Sequence, residues 1–470
     1  MNFELPKPQQ WNALALIPGF AGIYWLTAAP GNWLLWGLVP GAMLLASGFS
    51  QLMWPGDARI TQFISAGGFL GVILAIPAML VSNPSAGLLA GILSAAAYLI
   101  GGRISLTASP RSAGVPEIEL TPKLCAKAAT DEALMAYFVN GIRMPSGESA
   151  DISCEDALRL DAEFTQGGFY DDLTRLHTAP TAPQDARILP GRLLKRRYEA
   201  LRFSSGFVLN ERFPRAAQWG SFRSNQECHA LLLRHTEPRP WLLCIHGYRM
   251  GAPWLDLGLF RPEWLHERLG VNMLVPTLPL HGPRRIGWRS GDRYMDGDPL
   301  AFIYAQMQAL WDLRRMVAWI RSQDSQARIG VLGFSLGGYN TALLSAYEPG
   351  LDFAVAGIPL VDVAAVLWRH IPPAHREYFD SRGLDIRMAR KLLTSVSPLS
   401  RAPLLDIERR AIFAGTADRV VPPEHPLKLS SHWGVPVEWF HGGHLTFAGE
   451  GAVHRALETP MLRAGWPINR

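Results

Sequence analysis

Gly333-Phe334-Ser335-Leu336-Gly337 follows directly on the apolar run Ile329 to Leu332 and precedes a helix-like stretch from Gly338 to Ala346. A serine with glycine two residues away on each side, at the seam between a strand and a helix, marks a turn too tight for side chains at the glycine positions. Such a turn forces the serine outward at the end of a sheet, where the amino end of the next helix favours negative charge. The spacing therefore singles out Ser335 as a candidate nucleophile. A bare pentapeptide of this kind also arises by chance in loops, so its strand and helix neighbours carry the reading.

Outward from that corner, short apolar runs alternate with longer amphipathic ones. Ala230 to Leu233, Trp241 to Ile245, Val271 to Val275, Phe353 to Ile358, Ala411 to Phe413 and Val435 to Phe440 are strand-like, and Leu300 to Ile320 is helical. Strands taking turns with helices predict an α/β class with a mostly parallel sheet covered on both faces.

With these residues in place the stretch from about 200 to 465 resembles the α/β-hydrolase family, whose chain order is nucleophile, acid, histidine. That resemblance implies Ser335 as the nucleophile. Gly415-Thr416-Ala417-Asp418-Arg419-Val420-Val421-Pro422 looks like the family's acid-bearing loop, which implies Asp418, and His441-Gly442-Gly443-His444 is similar to its base-bearing loop, which implies His444. Cys244-Ile245-His246-Gly247-Tyr248 matches the loop whose backbone completes an oxyanion hole, here through the N–H groups of Tyr248 and Leu336. His246 and His441 are read as supporting residues. Asp362, after Phe353 to Ile358, stays open as an alternative acid. Leu278 to Arg285 resembles a rim loop of dienelactone-hydrolase-like and prolyl-oligopeptidase-like members, with His281 structural. Such chemistry needs neither a metal nor an organic cofactor.

The front of the chain belongs to another solvent. No charged residue lies between Lys7 and Asp57 or between Arg59 and Arg103, and four apolar stretches fill these gaps: Trp11 to Ala29, Trp33 to Trp54, Ile60 to Val81 and Ser85 to Ile100. Each approaches the roughly 20 residues that a helix needs to cross a bilayer. Pro30-Gly31-Asn32, Pro55-Gly56-Asp57 and Asn83-Pro84-Ser85 separate them with turn chemistry, and Trp11, Trp25, Trp33, Trp36 and Trp54 stand near their ends as interfacial aromatics do. Four spans place Lys7, Arg59, Arg103 and Arg111 on one side, predicting an inner or plasma membrane protein with its larger part in the cytoplasm.

Cys125, Cys154, Cys228 and Cys244 have neither metal-ligand spacing nor disulfide density, which fits a reducing compartment. A net charge of +5 over 470 residues, with basic clusters as short as Lys195-Arg196-Arg197, excludes a nucleic-acid footprint. The expected organisation is a transmembrane region over 1–105, a partly helical connector over 106–192 without evident chemistry, and a catalytic domain over 193–470 with a cap around 363–404. The leading expectation is a membrane-embedded serine hydrolase acting on a small-molecule or lipid ester through an acyl-enzyme. A serine peptidase or amidase and a non-catalytic membrane-tethered interaction module are the alternatives.

Overall fold

A computed structural model describes residues 12–55, 57–108, 112–140, 142 and 144–467. The chain packs as two compact units. One comprises Met1–Gly141, Gly415–Glu424 and Trp439–Gly449; the other comprises Ile142–Ala414, His425–Glu438 and Glu450–Arg470.

The first unit is built on four apolar helices, α1 (Leu16–Thr27), α2 (Trp33–Met53), α3 (Ala58–Val81) and α4 (Pro84–Thr107), followed by α5 (Pro122–Asn140). Asp57 and Asn83 cap α3 and α4 by accepting the N–H groups of Arg59 and Ala86, so two of the predicted turns are helix starts with a mechanism. Three of these helices, Trp33–Met53, Arg59–Val81 and Pro84–Thr107, are long and apolar enough to cross a membrane. The first expected span falls short. At about 1.5 Å per residue the 12 residues of α1 reach about 18 Å, and Trp11, Lys7 and Arg111 lie outside the described residues. The fourth runs longer than expected, because Gly101-Gly102-Arg103 continues the helix instead of breaking it.

Two tryptophans also depart from expectation. Trp25 and Trp33 are fully buried among the helices, with Trp25 Nε1 donating to Ser94 Oγ (2.8 Å) and Trp33 Nε1 to the Trp25 carbonyl (2.8 Å). In an apolar surrounding an indole N–H needs such a partner, so these rings serve helix packing rather than an interfacial belt. Trp54 is exposed.

Helix α5 packs on α3 and α4. Its buried stripe, Leu124, Cys125, Ala128, Ala129, Asp131, Glu132, Met135 and Ala136, follows a helical period, and it includes two carboxylates.

The second unit carries most of a nine-stranded sheet: β1 (Arg187–Leu193), β2 (Arg196–Ser204), β3 (Glu227–Leu233), β4 (Trp241–Ile245), β5 (Asn272–Pro276), β6 (Ile329–Phe334), β7 (Phe353–Gly357), β8 (Arg410–Gly415) and β9 (Val437–Phe440). Their spatial order is β1-β2-β3-β5-β4-β6-β7-β8-β9, antiparallel from β1 to β5 and parallel from β5 through β8. Strands β4, β5, β6 and β7 are buried at every position, which is why they read as unbroken apolar runs. Helices α6 (Glu148–Gln166), α7 (Ala216–Gly220), α8 (Pro253–Phe260), α9 (Pro299–Gln323), α10 (Leu336–Tyr347), α11 (Val363–His370), α12 (Pro373–Ser381), α13 (Ile386–Leu393), α14 (Glu424–Trp433) and α15 (Gly451–Arg463) complete the chain. The crossover from β4 to β5, the return to β6 and the serine corner after it give the α/β-hydrolase fold, preceded by the apolar helices.

Candidate active site

In the sheet-bearing unit β6 ends at Phe334 and α10 begins at Leu336, leaving one residue to turn the chain. That residue is Ser335, with φ 58° and ψ −114°, a conformation that L side chains avoid. It is held from several directions. Ser335 N–H donates to the Gly357 carbonyl of β7 (2.9 Å), and its carbonyl accepts from Tyr339 (3.0 Å) and Leu360 (3.3 Å). The two glycines are needed for close approach: a Cβ on Gly333 would strike the Gly337 carbonyl, and one on Gly337 would strike the Ile245 carbonyl of β4.

The loop after β4 runs beside this corner, since a Cβ on Gly247 would lie 3.6 Å from the Ser335 Cβ. His246, fully buried, pins the loop. Its Nε2 accepts the Leu278 N–H (3.1 Å), so Nδ1 carries the ring proton and donates to the Gly247 carbonyl (2.8 Å). Arg249, with φ 68°, is paired with Asp292 (2.5 Å) and lies over the Tyr248 ring, 4.9 Å from its centroid. The backbone of Tyr248 thus sits in a loop fixed at both ends, and Leu336 opens α10, where a helix amino end offers its N–H. His281 is fully buried with Nδ1 bonded to the Pro279 carbonyl, and burial drives its pKa well below the ordinary histidine value. It is a neutral ring inside the rim loop. Three residues on, Arg284 is fully buried and donates to Thr277, Asn225 and Asp312.

Asp362 caps α11 through the Ala365 N–H, and its carboxylate is engaged by Lys428 (2.5 Å) and Arg390 (3.1 Å). Burial raises its pKa, but the Lys428 hydrogen bond and these charges outweigh that and hold it below the usual carboxylate value. The remaining candidate acid has a different partner.

In the other unit, the loops after β8 and β9 bring Asp418 and His444 together. Asp418 Oδ2 lies 2.7 Å from His444 Nδ1, while Oδ1 accepts the N–H groups of Val420 (2.9 Å) and Val421 (2.8 Å). Both side chains are buried. Burial disfavours the imidazolium, yet the charge and hydrogen bond of Asp418, with the charge of Asp131, outweigh it, so the His444 pKa is raised. A hydrogen bond at Nδ1 leaves Nε2 as the ring nitrogen for proton traffic. His441 lies on the same loop, and its carbonyl accepts from Lys127 of α5 (2.8 Å).

Sequence reasoning missed the residue beneath this pair. Asp131 of α5 accepts the backbone N–H of His444 (2.6 Å) and of Arg419 (3.1 Å), and a Cβ on Gly443 would run into its carboxylate. Burial, with the nearby Asp418 charge, pushes its pKa up to about 7 against the pull of His444 and the two N–H donors. A signal existed: Asp131 and Glu132 fall on the apolar stripe of α5, and a carboxylate on such a stripe requires a partner.

No family model matches the sequence. Two curated relatives, uncharacterized proteins from two strains of Mycobacterium tuberculosis, are 41% identical over 273 residues, covering 58% of this chain and 65% of each relative, so the chain spans less than two thirds of their length. Among solved structures, an acetyl xylan esterase from Paenibacillus is similar with TM-score 0.44 and 16% identity, covering 63% of this chain and 94% of that one. An α/β hydrolase from Penicillium has TM-score 0.36 and 16% identity, covering 51% of this chain and 95% of that one. The acylaminoacyl peptidase of Pyrococcus horikoshii has TM-score 0.33 and 13% identity, covering 61% of this chain and 42% of that one.

Proposed function

We propose that the chain is a membrane-anchored serine hydrolase that cleaves an ester through an acyl-enzyme on Ser335. The observation that carries this reading is the strained corner at Ser335, held at φ 58° between β6 and α10. Strain of this kind persists only where surrounding contacts enforce it, and it turns the hydroxyl out of the sheet. His444 takes the Ser335 proton at Nε2 as Oγ attacks the ester carbonyl carbon. Asp418 holds the imidazole tautomer and stabilises its charged form. The N–H groups of Tyr248 and Leu336 receive the developing oxyanion, each worth about 3 to 4 kcal/mol of barrier. Collapse of the tetrahedral species expels the alcohol with the proton from His444, and water, activated by the same ring, releases the acid and restores Ser335.

Three helices of sufficient length and apolarity support the anchor. The placement of Arg59 and Arg103 at the ends of α3 and α4, with Arg111 in sequence, supports a cytoplasmic hydrolase region. A reporter fused after residue 105 tests the orientation. For the reaction, purified full-length protein is assayed with p-nitrophenyl esters of graded acyl length and with aminoacyl anilides, beside Ser335→Ala. Ester turnover that vanishes in the variant is the expected result. Turnover of anilides alone would replace the esterase by a peptidase, and no turnover of either class would remove the enzyme reading.

A further inference from the structure

Helix α5 does more than follow the apolar helices. Asp131 has no exposed surface, and one of its oxygens, Oδ2, accepts two backbone N–H groups from two different loops: His444 from the loop after β9 and Arg419 from the loop after β8. Those are the loops that carry the base and the acid. Next to His444 stands Gly443, where an added Cβ would run into the Asp131 carboxylate. The next residue, Glu132, is equally buried. It accepts from Thr61 Oγ1 of α3 (3.1 Å) and pairs with Arg419 Nε (3.3 Å). One helical turn earlier, Lys127 donates to the His441 carbonyl. Three residues of α5, Lys127, Asp131 and Glu132, thus grip the same two loops.

We propose that Asp131 is a positioning residue for the acid–base pair: it ties the Asp418 and His444 loops together through their backbones, and its charge helps hold a proton on His444. The inference rests on the catalytic reading of that pair given above. A carboxylate with two N–H groups on one oxygen fixes the loop register more sharply than packing alone, because charge-assisted hydrogen bonds are short and directional. The groups facing it are Asp418 and Arg419 from the loop after β8, His444 from the loop after β9, Glu132 on α5 itself, and Tyr98 of α4, whose hydroxyl lies 2.7 Å from Thr130 Oγ1. Removing the Asp131 charge takes away one of the two anions that favour the imidazolium, leaving Asp418 as the other.

The test uses the full-length protein and an ester that it turns over. Asp131→Asn keeps an acceptor oxygen and loses the charge. Its kcat/KM profile should show the acid limb moved to lower pH, by roughly one pH unit, with the alkaline plateau within a few-fold of wild type. Asp131→Ala loses the tie as well, and kcat should fall by about 10²-fold with KM little changed. If the alanine variant does not fold, the asparagine profile decides alone. An acid limb in Asp131→Asn that coincides with wild type, in a protein whose Ser335→Ala variant is inactive, overturns the role of Asp131 only. Full turnover in Ser335→Ala would instead remove the chemistry on which the inference stands.

Discussion

Oδ2 of Asp418 lies 2.7 Å from Nδ1 of His444, while Oδ1 of the same carboxylate is taken up by two backbone N–H groups of its own loop. An acid held at both oxygens cannot swing away from the ring. This relationship distinguishes it from Asp362, whose oxygens serve Ala365, Arg390 and Lys428.

Comparing two asparagine variants therefore assigns the acid. Asp418→Asn should lower kcat by about 10⁴-fold, because the amide favours the wrong imidazole tautomer. Asp362→Asn should leave kcat within tenfold of wild type and cost at most about 1 kcal/mol of stability, since its ion-pair partners are exposed and asparagine still caps a helix. Steady-state kinetics with one ester separates the two.

In the proposed mechanism the base must be neutral to act, and His444 holds its proton more tightly than an ordinary histidine. The acid limb of kcat/KM should accordingly have its midpoint above about pH 6.5. Stability has the same sign. The raised His444 pKa contributes stability that is fully present below about pH 6.5 and is lost as pH rises through the folded value. Asp131→Asn removes one of the two charges that raise that value, so this contribution is smaller in the variant. Melting temperature measured from pH 5 to 8 should fall, and fall less in Asp131→Asn.

Gly443→Ala offers a test of loop register that changes no ionisable side chain. The added methyl meets the Asp131 carboxylate, so the loop must shift. A displacement of even about 1 Å at the base costs about 10²-fold in turnover. The expected outcome is a lower kcat with little change in substrate binding, read from a kcat and KM pair.

Stability of the rim loop rests on the fully buried Arg284–Asp312 pair, 2.7 Å apart. Asp312 also accepts from Ser205 (2.6 Å). Asp312→Ala strands the guanidinium in the core and should destabilise the fold by about 3 to 5 kcal/mol, whereas simple area loss would predict far less. Denaturant unfolding of wild type and variant measures the difference.

The elbow was legible because its two glycines and its serine answer to local sterics, and the parallel strands because burial on both faces leaves unbroken apolar runs. The hairpin β1–β2 was not. The first four positions of β1 are exposed, β2 is buried only at Leu201 and Phe203, and the pair carries Arg187, Arg192, Arg196, Arg197 and Arg202, so it resembles solvated surface. Arg196 is nevertheless paired with Glu263 and Glu267, a contact across more than sixty residues that no local window contains. The same holds for Asp131 and His444, separated by 313 positions. The apolar helices were readable as a group, but the length of α1 depended on where its helix starts, and the burial of Trp25 depended on Ser94 of α4.

Labelling by a fluorophosphonate probe, mapped by mass spectrometry on the detergent-extracted full-length protein, tests most directly whether Ser335 is an activated nucleophile. Wild type should carry the probe on Ser335, Ser335→Ala should carry none, and His444→Ala should label far more slowly. A wild-type protein that stays unlabelled, or a Ser335→Ala variant that labels as wild type does, would contradict it.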